Sequence, residues 1–147
     1  MLHIVIILII FAINLLVVHI TRALKNSVAA GLDLALTGGF LAGYWFGWKW
    51  GFIIGCIFMI SNYVVQLQFW ASVIYVTPLN GLLAVWGAIC ALSGISPFVG
   101  AMMGVIGYCI VSDIGMITFF GERDFLMMGS YALGAILVNM IFFDLFF

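Results

Sequence analysis

Glycine recurs at every fourth position from Gly39 through Gly43, Gly47 and Gly51 to Gly55, with Trp48-Lys49-Trp50 in the middle of the run. Spacing of four keeps small residues near one helix face, where a neighbouring backbone can approach closely. A lysine bracketed by tryptophans belongs at a membrane–water interface. The surrounding residues, 30 to 68, are too many for one crossing, which needs about 20 residues. The ladder therefore predicts two membrane helices packed as a hairpin that reverses at 48–50, with Gly39, Gly43, Gly47, Gly51 and Gly55 as packing positions. Such a hairpin needs lipid as its solvent. The composition agrees, with 67% hydrophobic and 6% charged residues. In ordinary soluble domains about a quarter of residues are charged.

Segment lengths predict six spans, at about 2–20, 30–47, 50–68, 79–92, 97–119 and 125–147. Pro78 and Pro97 suit helix starts, where a missing N–H does no harm. Residues 69–77 read either as an interfacial amphipathic segment or as a strand-like loop. The expected fold is an all-α membrane protein, a six-transmembrane-helix bundle with short loops. It forms one integral domain over 1–147, multi-pass in the cell membrane. No spanning strand is expected, given segment lengths that match a helical crossing of a ~30 Å core and the need to satisfy backbone groups internally. The first apolar stretch has no basic leader and no small-residue cleavage site, so it reads as a retained helix. Cys56, Cys90 and Cys109 lie in apolar runs without zinc-type spacing and read as small hydrophobes. A net charge of −1 offers no basic surface for nucleic acid.

Placing polar residues by depth gives a marked asymmetry. His19, Arg22, Lys25, Asn26, Asp33, Asn62, Gln66, Gln68, Asn80, Asp113, Thr118, Glu122, Arg123 and Asp124 fall toward the end with the longer connections, 1–2, 3–4 and 5–6. The other end has little beyond Lys49, Ser93 and Ser96, with Asn14, Asn139 and Asp144 midway or toward it. Asp113 lies roughly 9 Å inside the end of its span, at 1.5 Å per residue. An acid at that depth is paired, wetted, protonated or functional. The expectation is that Asp33, Asn62, Asn80 and Asp113 approach one another below the long connections, with Trp70 or Glu122 as a cover. Converging acids would favour a small cationic solute, or a neutral one rich in donors. The competing reading makes Asp113 a helix–helix contact, for example through Tyr108 or Asn139. The other tryptophans read as interfacial belt residues and the methionines as packing.

No catalytic constellation is present: no HExxH, nucleophile elbow or P-loop. His3 and His19 would stand about 24 Å apart on one helix, at 1.5 Å per residue, which removes a two-histidine metal site. The chain therefore reads as a non-enzyme without metal or cofactor.

The stretch Gly39-Phe-Leu-Ala-Gly-Tyr-Trp-Phe-Gly-Trp-Lys-Trp-Gly-Phe-Ile-Ile-Gly55 resembles the second-to-third helix hairpin of the substrate-binding S-components of energy-coupling factor transporters. In that family a small-residue ladder surrounds a Gly-Pro-x-x-Gly turn. The resemblance implies six short helices and a solute site at the loops joining helices one to two, three to four and five to six. Trp48 stands where the proline would be, and the first helix lacks the Ala-x-x-x-Ala pattern of the family's docking surface. Orientation is open: Arg22, Lys25 and Arg123 against Lys49 put the long connections in the cytoplasm, whereas the resemblance implies the reverse. Two functions follow. One is a small-solute-binding component of an uptake transporter, working with partner membrane subunits. The other is a non-catalytic accessory subunit of a larger membrane complex.

Overall fold

A computed structural model describes residues 1–23, 34–67, 72–121 and 125–146. Every regular element among them is helical: α1 (Leu2–Ala23), α2 (Ala35–Gln66), α3 (Ser72–Leu92), α4 (Pro97–Phe120) and α5 (Phe125–Phe146). α1, α2, α3 and α4 are long and apolar enough to cross a membrane, and α5 carries a shorter apolar stretch over Gly129–Asp144. The chain is therefore built as a multi-pass membrane protein. Large aliphatic residues such as Leu8, Ile57, Ile74, Leu82, Ile114 and Ile141 are exposed, as expected where lipid covers the outer surface.

Five helices stand where six were expected, because residues 35–66 form one element. Within α2 only Gly47 leaves helical geometry, at φ 80 and ψ 172. That conformation is open essentially to glycine alone. Trp48, Lys49 and Trp50 are helical, so the reversal lies at Gly47 and the tryptophans open the second arm. The fold-back is direct. In a straight helix Gly43 and Gly51 would be about 12 Å apart, but a Cβ on Gly51 would overlap the backbone of Gly43. The first arm, 35–46, rises about 18 Å and the second, 48–66, about 28 Å.

Pro78 was expected to open a short span. Instead it lies inside α3, which starts at Ser72 and contains 21 residues. This corrects the reading of 72–77 as interfacial or strand-like; residues 68–71 lie outside the described ones. Pro78 and Ile74, one turn before it, are both exposed, while the opposite side of α3 packs against both arms of α2 and against α4.

Successive helical arms, counting the two arms of α2 separately, run in opposite directions. His3, near the start of α1, stacks on Trp45 just before the hairpin tip, with ring centroids 4.6 Å apart. Arg22, near the end of α1, donates from Nη1 to Val65 O at 2.8 Å. Tyr44 donates to Ile95 O at 3.1 Å, which ties the tip to the α3–α4 turn. Ser96 caps α4 by accepting from Val99 N, and Pro97 fills the first helical position, where no donor is needed. Phe98 meets Phe143 edge-on at 6.0 Å, so the end of α5 returns to the tip level.

α3 lies in the cleft of the hairpin. A methyl group on Gly43 would overlap the Ala84 carbonyl, and one on Gly87 would overlap the Phe40 carbonyl. A Cβ on Gly55 would stand 2.9 Å from Asn80 O. By contrast, Gly107 has open space around its missing side chain.

These contacts rank the glycines. Gly43→Ala should lower stability by about 1–3 kcal/mol through overpacking. Gly47→Ala should cost a similar amount through backbone strain alone, and Gly107→Ala should be near neutral. Thermal unfolding of the purified variants in one detergent checks the order. Equal melting temperatures for Gly43→Ala and Gly107→Ala would show that the seam is not tight.

Candidate functional site

Five polar side chains are buried in the described structure: Asn14, Thr37, Asn62, Asn80 and Asn139. They come from α1, the two arms of α2, α3 and α5, and they meet around the first turn of α2. Asn14 accepts from Leu34 N at 2.9 Å. That N–H stands at a helix start, where backbone donors lack an intrahelical partner. The amide of Asn14 donates to Asn62 Oδ1. Thr37 Oγ1 donates to Asn139 Oδ1 at 2.8 Å, and Asn139 Nδ2 donates to Ala135 O at 2.8 Å.

Asn80 joins the two arms. Its Nδ2 donates to Gly55 O at 2.8 Å and to Ala35 O at 3.4 Å. Its Oδ1 is buried without a hydrogen-bond partner and lies 3.1 Å from where a Cβ on Gly39 would be. Glycine therefore turns a Cα–H toward that oxygen, a weak contact that any side chain would block. One turn away, Thr77 Oγ1 is also buried and without a partner, while Thr77 O accepts from Cys56 Sγ at 3.6 Å.

The expected site residues divide accordingly. Asn62 and Asn80 share the layer around the start of α2, each held by a helix–helix bond. Asp113 is half-buried on α4 and has no hydrogen bond or ion pair among the described residues. It belongs to the next layer toward the long connections, because Tyr75 packs its ring on Gly115 and donates to Val111 O at 2.7 Å. Tyr75 precedes Asn80 by five residues, about 7.5 Å along α3. Asn139 is bonded to Thr37 and Ala135 rather than to Asp113. Asp33, Trp70 and Glu122 lie outside the described residues.

Asn14 and Asn139, set aside as exceptions in the sequence, turn out to be central to the layer. For Asn14 the signal was present. It continues the inward stripe Ile7, Ile10, Asn14 and Val18, whose spacing of three and four marks one helix face. Trp86 is half-buried and donates from Nε1 to Gly100 O at 2.9 Å, which ties α3 to α4.

A groove of about 480 Å³ runs between α1 and the second arm of α2, lined by apolar residues including Ile4, Leu8, Trp50 and Ile54. Comparison with protein-family models, curated proteins and solved structures finds no match for the chain.

The bond from Asn14 to Asn62 can be measured. Interhelical hydrogen bonds in membranes are worth about 0.6 kcal/mol on average and up to about 1.7. Asn14→Leu should exceed that, because it also strands the Leu34 N–H. A double-mutant cycle of Asn14→Leu and Asn62→Leu, read by reversible unfolding, should give coupling of about 0.5–2 kcal/mol. Zero coupling would remove the pair from the architecture.

Proposed function

We propose that the chain is a small-solute-binding membrane component of an uptake system. The asparagine layer is its closed floor, and the site lies between that floor and the 1–2, 3–4 and 5–6 connections. The supporting observation is the contrast between the layer and Asp113. Asn14 and Asn80 donate to the arms of α2, Asn62 accepts from Asn14, and Asn139 accepts from Thr37 while donating to Ala135 of its own helix. Asp113, one layer nearer the long connections, carries a carboxyl group with no hydrogen bond or ion pair among the described residues. An intramembrane acid without a protein partner is a candidate for ligand contact. Its chemistry suits an amine, an amidine or another donor-rich solute. In this reading the doubled-back α2 contributes two of six arms, so both ends of α3 and α4 keep the alternation that brings the three connections to one end.

The second reading, an accessory subunit of a larger membrane complex, is favoured by where Asp113 sits. It borders the exposed stripe Ile106, Ile110, Ile114 and Ile117 of α4. A basic or donor-bearing residue of a partner helix could meet it there.

One substitution separates the two. Asp113→Asn breaks no described protein contact, so unfolding of the solute-free protein should shift by less than about 0.5 kcal/mol. The uptake reading expects small amines or amidines to raise the melting temperature of the reconstituted protein, and expects Asp113→Asn to weaken that binding at least tenfold. Loss of a co-purifying membrane subunit on Asp113→Asn, with no solute effect in the parent, would overturn uptake in favour of the accessory role.

A further inference from the structure

Packing along α3 changes at Pro78. Beyond it, Asn80, Leu83, Ala84, Ala88 and Cys90 are all at 5% exposure or less. This part lies in the cleft of the hairpin. Asn80 donates to Gly55 O, Trp86 donates to Gly100 O, and a Cβ on Gly43 would overlap the Ala84 carbonyl. Before Pro78 the helix is loosely held. Among residues 73–77 only Val76 is buried, and Ile74 is 82% exposed. The backbone between the two parts is also weakened. Pro78 has no N–H, so the carbonyl of Ile74 loses its helical donor. Sharp kinks in helices concentrate at proline, and segments with few buried contacts open at lower cost than the rest of a fold.

Among the described residues, two hydrogen bonds hold 73–77 to other helices. Cys56 Sγ donates to Thr77 O at 3.6 Å, and a thiol is a weak donor. Tyr75 donates to Val111 O at 2.7 Å, and its ring centroid stands 5.8 Å from that of Phe119. A Cβ on Gly115 would overlap the Tyr75 ring, so the missing side chain of Gly115 is the seat of that ring. Thr77 Oγ1 is buried without a partner. An unsatisfied hydroxyl gains a bond to water when its cover moves, which offsets part of the cost of opening.

We propose that residues 73–77 form a gate at the end of the long connections, hinged at Pro78 and latched by Tyr75 on Gly115. The gate's role in admitting a solute rests on the uptake reading above; the hinge and the latch do not. The arm stands above the asparagine layer, where that reading places the site. The rest of α3 cannot follow the arm outward, because Gly43, Gly55 and Gly87 hold backbone against backbone.

The test uses the full chain carrying Val76→Cys, in nanodiscs, modified by a membrane-impermeant thiol reagent and read site by site by mass spectrometry. Adding Tyr75→Phe keeps the ring and removes its hydrogen bond. It should speed modification at position 76 about fivefold, as expected for one lost bond. Gly115→Ala, which displaces the ring, should speed it at least as much, whereas Gly107→Ala on the same helix should leave the rate unchanged. Pro78→Ala returns a donor to Ile74 O and should slow modification by about the same factor of five. Hydrogen exchange of residues 79–92 should be the same in all four variants. Rates at position 76 that neither Tyr75→Phe nor Gly115→Ala alters would overturn the gate. So would exchange that quickens along the whole of α3, which would mean a loosened helix in place of a hinge. Failure of the uptake reading shows elsewhere, as a melting temperature that no amine or amidine moves, and leaves these rates as they are.

Discussion

The bundle depends on the backbone of α3 entering the cleft of the α2 hairpin. Hydrophobic burial cannot drive that approach, because lipid is as apolar as the helix surfaces it would leave. Contact has to come from close van der Waals packing and from hydrogen bonds made where water is absent. Glycine at 43, 55 and 87 lets carbonyls stand where side chains would otherwise collide. Asn80 then donates to carbonyls of both arms, so the same helix that fills the cleft also holds it shut. Gly39 fits this arrangement because the Asn80 side chain lies directly over it.

A polar core inside an apolar shell follows from the same solvent. In lipid an unpaired amide costs several kcal/mol, so each buried asparagine must find a partner, and each of Asn14, Asn62, Asn80 and Asn139 has at least one on another helix. The layer around Leu34 and Thr37 therefore selects one arrangement of helices more sharply than the surrounding leucines and isoleucines can. It also divides the bundle into two levels. Below it, toward the hairpin tip, lie tightly packed glycines and an apolar groove between α1 and the second arm of α2. Above it lies Asp113, a group the protein itself does not neutralise among the described residues.

Much of this was legible in the residues. Composition and segment length determined that the chain is helical and multi-pass, because apolar runs of about 20 residues match a helical crossing, which satisfies its own backbone groups. The four-residue glycine spacing determined that two segments could fold together closely. Polar residues gathered toward one end determined where to look for a site. Other features needed the tertiary structure. Only there does Gly47 prove to be the single residue that reverses the chain, since any of the ladder glycines could adopt its conformation. Only there does Pro78 fall inside a helix, because proline is compatible with a helix start and with the interior of a membrane helix alike. The partners of the asparagines were also undecided: an amide in an apolar run shows that a bond is required, not which helix supplies it. Asn62 and Asn80 were read as ligand contacts for that reason. The folded chain pairs them with α1 and with both arms of the hairpin, because those groups reach them first.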